Sequence, residues 1–186
     1  LNQGPVIPVL NRLAESKAFL DATARGISDK RMGAQECVLR FLAFTMTSYT
    51  EYKAGDLDGF LNTAMENLND LPGEALQAME TKFVRAMGVA RAIFGIDAFR
   101  KRYDPEASRS PVNKALFEAW SVNLGARSSQ QQETLISRKD AVMESFINLM
   151  QDRSFDSAIS QGTGDAAKVE LRFQKIAKLI EGVLLK

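Results

Sequence analysis

A chain of 186 residues, 45% hydrophobic and 25% charged, can bury one good core and little more than a single domain. Its 24 basic and 23 acidic residues leave a formal charge of +1, which is no global nucleic-acid signature yet leaves room for a local basic patch. The absence of histidine excludes His-metal nucleases, Ser-His and Cys-His hydrolases and zinc deaminases, and the single cysteine, Cys37, excludes an internal disulfide and a cysteine-based zinc site.

Alanine, leucine and methionine are common, prolines number five, and the alternating Val/Ile/Thr pattern of strands is scarce, so the expected fold class is all-α. No apolar run is long enough to span a bilayer, and the chain opens without a basic segment or signal-peptide core. The expectation is a cytoplasmic protein with no membrane partner, no cofactor and no metal.

In chain order, Val6, Val9, Leu10, Leu13 and Leu20 give a first helix an apolar stripe, beginning near Pro5 or Pro8 and ended by Gly26. Ser28-Asp29-Lys30-Arg31 reads as a polar linker. A second helix is expected from about Gly33 to Tyr52. Its middle, Cys37 to Phe44, is apolar almost all round and holds one charge, Arg40. Pairing with a carboxylate at the core rim is the favoured reading, the arginine stem covering apolar surface; a ligand-facing cation is the alternative. Cys37 reads as a small core hydrophobe, since no base accompanies it. Tyr49 through Asp56 marks a helix end and turn, with Gly55 in the left-handed cap position.

A third helix carries Leu57, Phe60, Leu61, Ala64, Met65 and Leu68. After the break at Leu71-Pro72-Gly73-Glu74, a fourth runs from Glu74 to Phe94. Residues 97–109 hold the densest charge run and are expected to form a short helix and then a loop. Arg100, Lys101, Arg102 and Arg109 are the candidate phosphate-binding residues, with Tyr103 beside them. Asp97, Asp104 and Glu106 blunt that reading and favour a solvated connector.

The stretch from Ser110 to Leu124 organises the rest. Ser110 suits an N-cap and Pro111 the first helical position. Val112, Ala115, Leu116, Phe117, Ala119, Trp120, Val122 and Leu124 form a very wide apolar arc, leaving Lys114, Glu118 and Ser121 on the opposite face. Asn113 and Asn123 fall within the arc, where a buried amide needs partners. Asn113 is expected at the third helical position, bonded to the backbone of an adjacent connection such as the Ser160–Asp165 loop.

Beyond a polar stretch from Gly125 to Gln132, a helix is expected from about Glu133 to Met150, then a helical turn from Phe155 to Ile159. Ser160, Gly162, Thr163 and Gly164 precede the last helix in a loop that is similar in outline to an anion nest. It lacks the Gly-Lys-Ser/Thr ending and the preceding strand of a P-loop. Asp165 is a natural N-cap that fills the N–H groups a phosphate needs, so a tight interhelical connection is the favoured reading. Asp152, Asp156 and Asp165 make a weak Mg²⁺ set. The last helix presents Val169, Phe173, Ile176, Ile180 and Val183. The expected whole is one domain over 1–186, a compact irregular bundle of seven or eight helices.

Five segments carry a family resemblance: Arg31 to Phe44, Tyr49 to Asn62, Phe94-Gly95 with Ala98-Phe99-Arg100, Pro111 to Glu118, and Phe155 to Arg172. Together they resemble a large bacterial family related to GmrSD-type restriction proteins. Members look like two-part proteins: a ParB/sulfiredoxin-like part with an Asp-Gly-Gln-Gln-Arg signature, linked to nucleotide hydrolysis, and a mostly helical part after it. Some carry a His-Asn-His nuclease domain. This sequence holds no Asp-Gly-Gln-Gln-Arg and no histidine, so the resemblance implies the helical accessory region of a longer protein, without its catalytic part, and places no catalytic residue here. The implied function is a non-catalytic module of a restriction or phage-defence protein that contacts or senses DNA. One alternative is an interaction scaffold that packs against its own N-terminal part or a second copy; another is an uncharacterised enzyme.

Overall fold

Helix α6, Lys114–Gly125, runs through the middle of the molecule, and every residue from Ala115 to Gly125 except Val122 is buried. The computed structural model describes residues 4–27, 32–53 and 55–186. Three helices enclose α6: α3 (Gly33–Met46), α5 (Gly73–Phe94) and α10 (Ala166–Leu184), with α9 (Arg153–Ser160) against one end. The outer helices are α1 (Val6–Ala14), α2 (Lys17–Ala22), α4 (Leu57–Asn69), α7 (Ser129–Ser137) and α8 (Lys139–Leu149). Among these, α1 and α4 cover α3, α2 lies on α5, and α8 bridges α5 and α10. Short 3-10 turns occupy Tyr49–Glu51 and Gly95–Asp97.

The all-α class stands, but the described residues form ten α-helices rather than seven or eight. Two expected helices each divide. Between α1 and α2, Ser16 turns extended and its hydroxyl accepts the Phe19 N–H, starting a new helix. Between α7 and α8, Arg138 leaves helical geometry, and its guanidinium donates to the Val183 and Leu184 carbonyls at the end of α10. A cation is favoured at a helix C-terminus. The second expected helix is shorter than expected, with α3 ending at Met46. Past Asp97 the charged connector forms no α-helix. The expected linker Ser28-Asp29-Lys30-Arg31 lies outside the described residues, as do positions 1–3 and Ala54.

The central helix also starts later than Ser110 and Pro111 suggest. Arg100 and Val112 pair as an isolated antiparallel bridge, and the Asn113 N–H donates to the Phe99 carbonyl at 2.9 Å. That pairing keeps residues 110–112 outside the helix, so the N-cap passes to Asn113, whose side-chain oxygen accepts the Leu116 N–H at 2.9 Å. Phe99 adopts φ +63° to make this turn, an uncommon conformation for an aromatic residue. The face assigned to Lys114, Glu118 and Ser121 is closed by other helices, leaving Glu118 and Ser121 fully buried.

Aromatic rings fill the space around α6. Trp120 meets Phe94 at 4.8 Å and Phe146 at 5.5 Å between centroids, both edge-on, and Phe117 packs against Phe19 and Phe99. Each such side chain removed from water contributes about 1.5–3 kcal/mol, and edge-on pairs add about 0.5–1.5 kcal/mol.

Candidate functional site

Glu118 lies at the centre of the most highly charged place in the interior. Its Oε2 accepts from Arg40 Nη1 at 2.8 Å, and its Oε1 accepts from Arg172 Nε at 2.9 Å and from Arg172 Nη2. Glu118 and Arg172 are fully buried, and Arg40 nearly so. Arg40 turns its other donors to Glu36 Oε1, at 2.7 and 2.9 Å, and Lys114 binds the second oxygen of Glu36. Arg172 also donates to the Ala158 carbonyl of α9 at 3.2 Å. The result is a chain of alternating charge from the surface Lys114 through Glu36, Arg40 and Glu118 to Arg172, tying α3, α6, α9 and α10 together.

Burial works against the Arg40 charge, but Glu118 and Glu36 outweigh it and raise its pKa. Burial likewise opposes ionisation of Glu36, yet bonds from Lys114 and Arg40 hold its carboxyl below the usual range. Both groups are therefore locked in their charged forms. An acid or base in turnover needs a pKa poised near the working pH, and Glu36 and Arg40 are both shifted away from it. Cys37, a neighbour on α3, is fully buried, and burial pushes its thiol up to about 12, which leaves no thiolate for nucleophilic chemistry.

The four basic residues singled out in the connector meet different fates. Arg100 is buried and donates to the carbonyls of Thr23, Ser110 and Ile96 at 2.8, 2.6 and 3.1 Å. Lys101 binds Ser160 Oγ at 2.5 Å and Asp156 at 3.4 Å. Arg102 pairs with Asp97 at 2.8 Å and reaches the Pro105 carbonyl at 2.5 Å. Arg109 is exposed. Three of the four cations are thus engaged within the protein.

The amides are engaged as well. Asn113 Nδ2 donates to the Ile159 carbonyl at 2.8 Å, in the last turn of α9 just before the glycine loop. Asn123 is buried and donates to Ala119 at 2.8 Å and to Phe173 of α10 at 3.3 Å.

In the loop itself, Ser160 is the last residue of α9, and Gly162 takes φ +55°. The N–H of Asp165 turns back to the Gly162 carbonyl at 3.0 Å. The Asp165 carboxylate caps α10 through the Lys168 N–H at 3.1 Å, and the Tyr52 hydroxyl donates to the Gly164 carbonyl at 2.6 Å. Thr163 is half-buried between these anchors. The capping carboxylate occupies the helix start where an anion would sit.

Asp152 caps α9 and binds Lys175 at 2.8 Å, and the Lys175 ammonium and Ser154 hydroxyl hold its carboxyl well below the usual range. Asp156 accepts from the Tyr103 hydroxyl at 2.8 Å. The three aspartates thus serve separate helix ends and side chains, and among the described residues no three His, Cys, Asp or Glu side chains gather as a metal site.

Two members of the network, Glu118 and Arg172, escaped the sequence reading. A signal was present for Arg172, which lies three residues after Val169 and four before Ile176, within the apolar stripe of α10. Glu36 and Arg40 also stand at i and i+4, the spacing of a helical ion pair. For Glu118 the helix period suggested solvent; only the packing of α10 reveals its burial.

Among the described residues no helix is long and apolar enough to cross a membrane. No protein-family model matches the chain, and neither the curated proteins nor the solved structures contain a match to it.

Proposed function

We propose that this chain is a non-catalytic helical accessory module of a restriction- or phage-defence-type protein, acting by contact with a partner. One observation supports this best: the five segments that carry the family resemblance are tied to one another by polar bonds. Arg40–Glu118 and Glu36–Lys114 join the first to the fourth. Tyr52 to Gly164 joins the second to the fifth. Asn113 to Phe99 joins the third to the fourth, and Glu118–Arg172 with Asn113 to Ile159 joins the fourth to the fifth. Residues of all five segments contribute to one hydrophobic core. The charges involved are paired with one another, which suits a scaffold.

The test adds this chain to the ParB-like, nucleotide-hydrolysing domain of a restriction protein of that family, and follows complex formation by sedimentation and nucleotide hydrolysis by phosphate release. The expected result is a complex, or altered hydrolysis by the ParB-like domain, with no turnover by this chain alone. Hydrolysis or DNA cleavage by the chain alone that persists through orthogonal purification steps would overturn the reading.

A further inference from the structure

We propose that the solvent face of α5 is a docking surface for the phosphate backbone of duplex DNA. The inference rests on reading the chain as a contact module and names that module's partner. Lys82, Arg85 and Arg91 are exposed on α5, and none forms an ion pair among the described residues. Arg85 makes one long exposed bond, 3.3 Å to Ser129 Oγ at the start of α7, which a phosphate can replace.

Their arrangement follows from the helix period. At 100° per residue, Thr81, Gly88 and Ala92 form the crown of the exposed arc, with Lys82 and Arg85 on one flank and Arg91 on the other. From Lys82 to Arg91 the axial span is roughly 14 Å at 1.5 Å per residue. The crown is small, and a Cβ built on Gly88 meets nothing within 4 Å. A helix with a low crown and cations on both flanks can approach a duplex closely while each flank meets phosphates.

Two acidic neighbours are paired with other cations. Arg12 of α1 holds Glu80 at 2.8 Å, and Lys17 of α2 holds Asp21, on which the Arg91 and Arg25 charges also act. Glu74 lies a helical distance of about 12 Å from Lys82. Beside the crown, a groove of about 500 Å³ between α1 and α5, lined by Arg12, its partner Glu80, Val84 and Arg85, gives a backbone strand room to lie.

Two other occupants suit the face less well. A bilayer surface requires large apolar side chains to insert, and Val84 is the only one that α5 exposes among the described residues. A protein interface depends on aromatic anchors, and both aromatic residues of α5, Phe83 and Phe94, are buried.

The test measures binding of a labelled duplex by fluorescence anisotropy across a salt series. The protein is compared with the triple variant Lys82→Gln/Arg85→Gln/Arg91→Gln and with Arg102→Gln. Glutamine keeps helix propensity, and thermal melts of all three proteins verify folding. Neutralising three phosphates makes wild-type affinity fall by about 40-fold between about 50 and about 200 mM salt. The triple variant loses that salt dependence and most of the low-salt affinity, while Arg102→Gln binds as wild type. Equal binding by the triple variant overturns α5 as the surface but leaves DNA contact elsewhere on the module. No duplex binding by wild type overturns the inference itself and leaves the accessory reading to the complex-formation experiment. Binding to phosphatidylserine vesicles without duplex binding likewise overturns it.

Discussion

Two groups of cations divide this molecule. Arg100, Lys101 and Arg102 are adjacent in sequence, and each finds an acceptor within the protein. Lys82, Arg85 and Arg91 are scattered through a long helix, yet share one exposed half-cylinder without an ion pair among the described residues. The density of charge along a chain therefore does not measure the charge offered to a partner. Carbonyls and carboxylates of packed elements take up the dense run, whereas helical spacing leaves the dispersed residues facing water. Around Glu118 the same inward use of charge is carried furthest, with two arginines on one buried carboxylate.

The comparison predicts large stability effects for inward charges and small ones for outward charges. Glu118→Ala strands Arg40 and Arg172 in the interior, at a cost of about 3–5 kcal/mol, or roughly 6–20 °C in thermal midpoint for a chain of this size. A melt within a degree or two of wild type would show that water or another carboxylate replaces Glu118. Exchanging Glu118, Arg40 and Arg172 together for apolar residues of similar volume should recover most of that loss, because no lone charge remains buried.

Arg100→Met sharpens the contrast within the basic run. It strips donors from three carbonyls and should destabilise by about 1–3 kcal/mol, whereas Arg102→Gln, at a pair nearer solvent, should lie within about 1 kcal/mol of wild type. Chemical denaturation of the two variants side by side decides it, and equal midpoints would erase the distinction between them.

Asn113→Leu removes both the N-cap acceptor and the donor to Ile159, for about 1–3 kcal/mol. Asn113→Asp keeps the cap and gains from the helix N-terminus, so its loss should be smaller. Lys114→Leu breaks only a half-exposed pair with Glu36 and should cost less than Asn113→Leu.

A pH titration separates the rim of the network from its centre. The folded-state pKa of Glu36 is depressed below its ordinary 4.5. Its contribution to stability is therefore fully present above that value and is lost as pH falls through the depressed pKa. Glu36→Gln should flatten the dependence of the thermal midpoint on pH across that acidic window, and an unchanged slope would show that Glu36 does not titrate with folding. Smallest of all, Arg85→Gln on α5 should change stability by no more than about 0.5 kcal/mol, as surface substitutions usually do.

Much of the helical fold was legible in periodicity. Val9, Leu13, Phe83, Met87, Val169, Phe173 and Ile180 repeat at helical spacing and are buried. Helix ends were less legible. Ser110-Pro111 satisfies the local rules for a helix start, but the bridge between Arg100 and Val112 overrides them and gives the cap to Asn113. Likewise, Ser16 and Arg138 break apparently continuous apolar stripes, one through its own cap bond and the other through contact with the end of α10.

Sequence by itself determined the helical class, the central place of the Ser110–Leu124 stretch, the burial of Cys37 and the role of Asp165 as a helix cap. These follow from composition, period and short-range hydrogen bonding, all of which act within a few residues. Tertiary structure alone decided that Glu118 is buried between Arg40 and Arg172, that Arg100 closes three backbone carbonyls, and that Lys82, Arg85 and Arg91 of α5 face solvent. The Glu118 pairs and the Arg100 bond to Thr23 join groups dozens of residues apart. A helix period says which side chains share a face, but which face is covered depends on the neighbour that packs there.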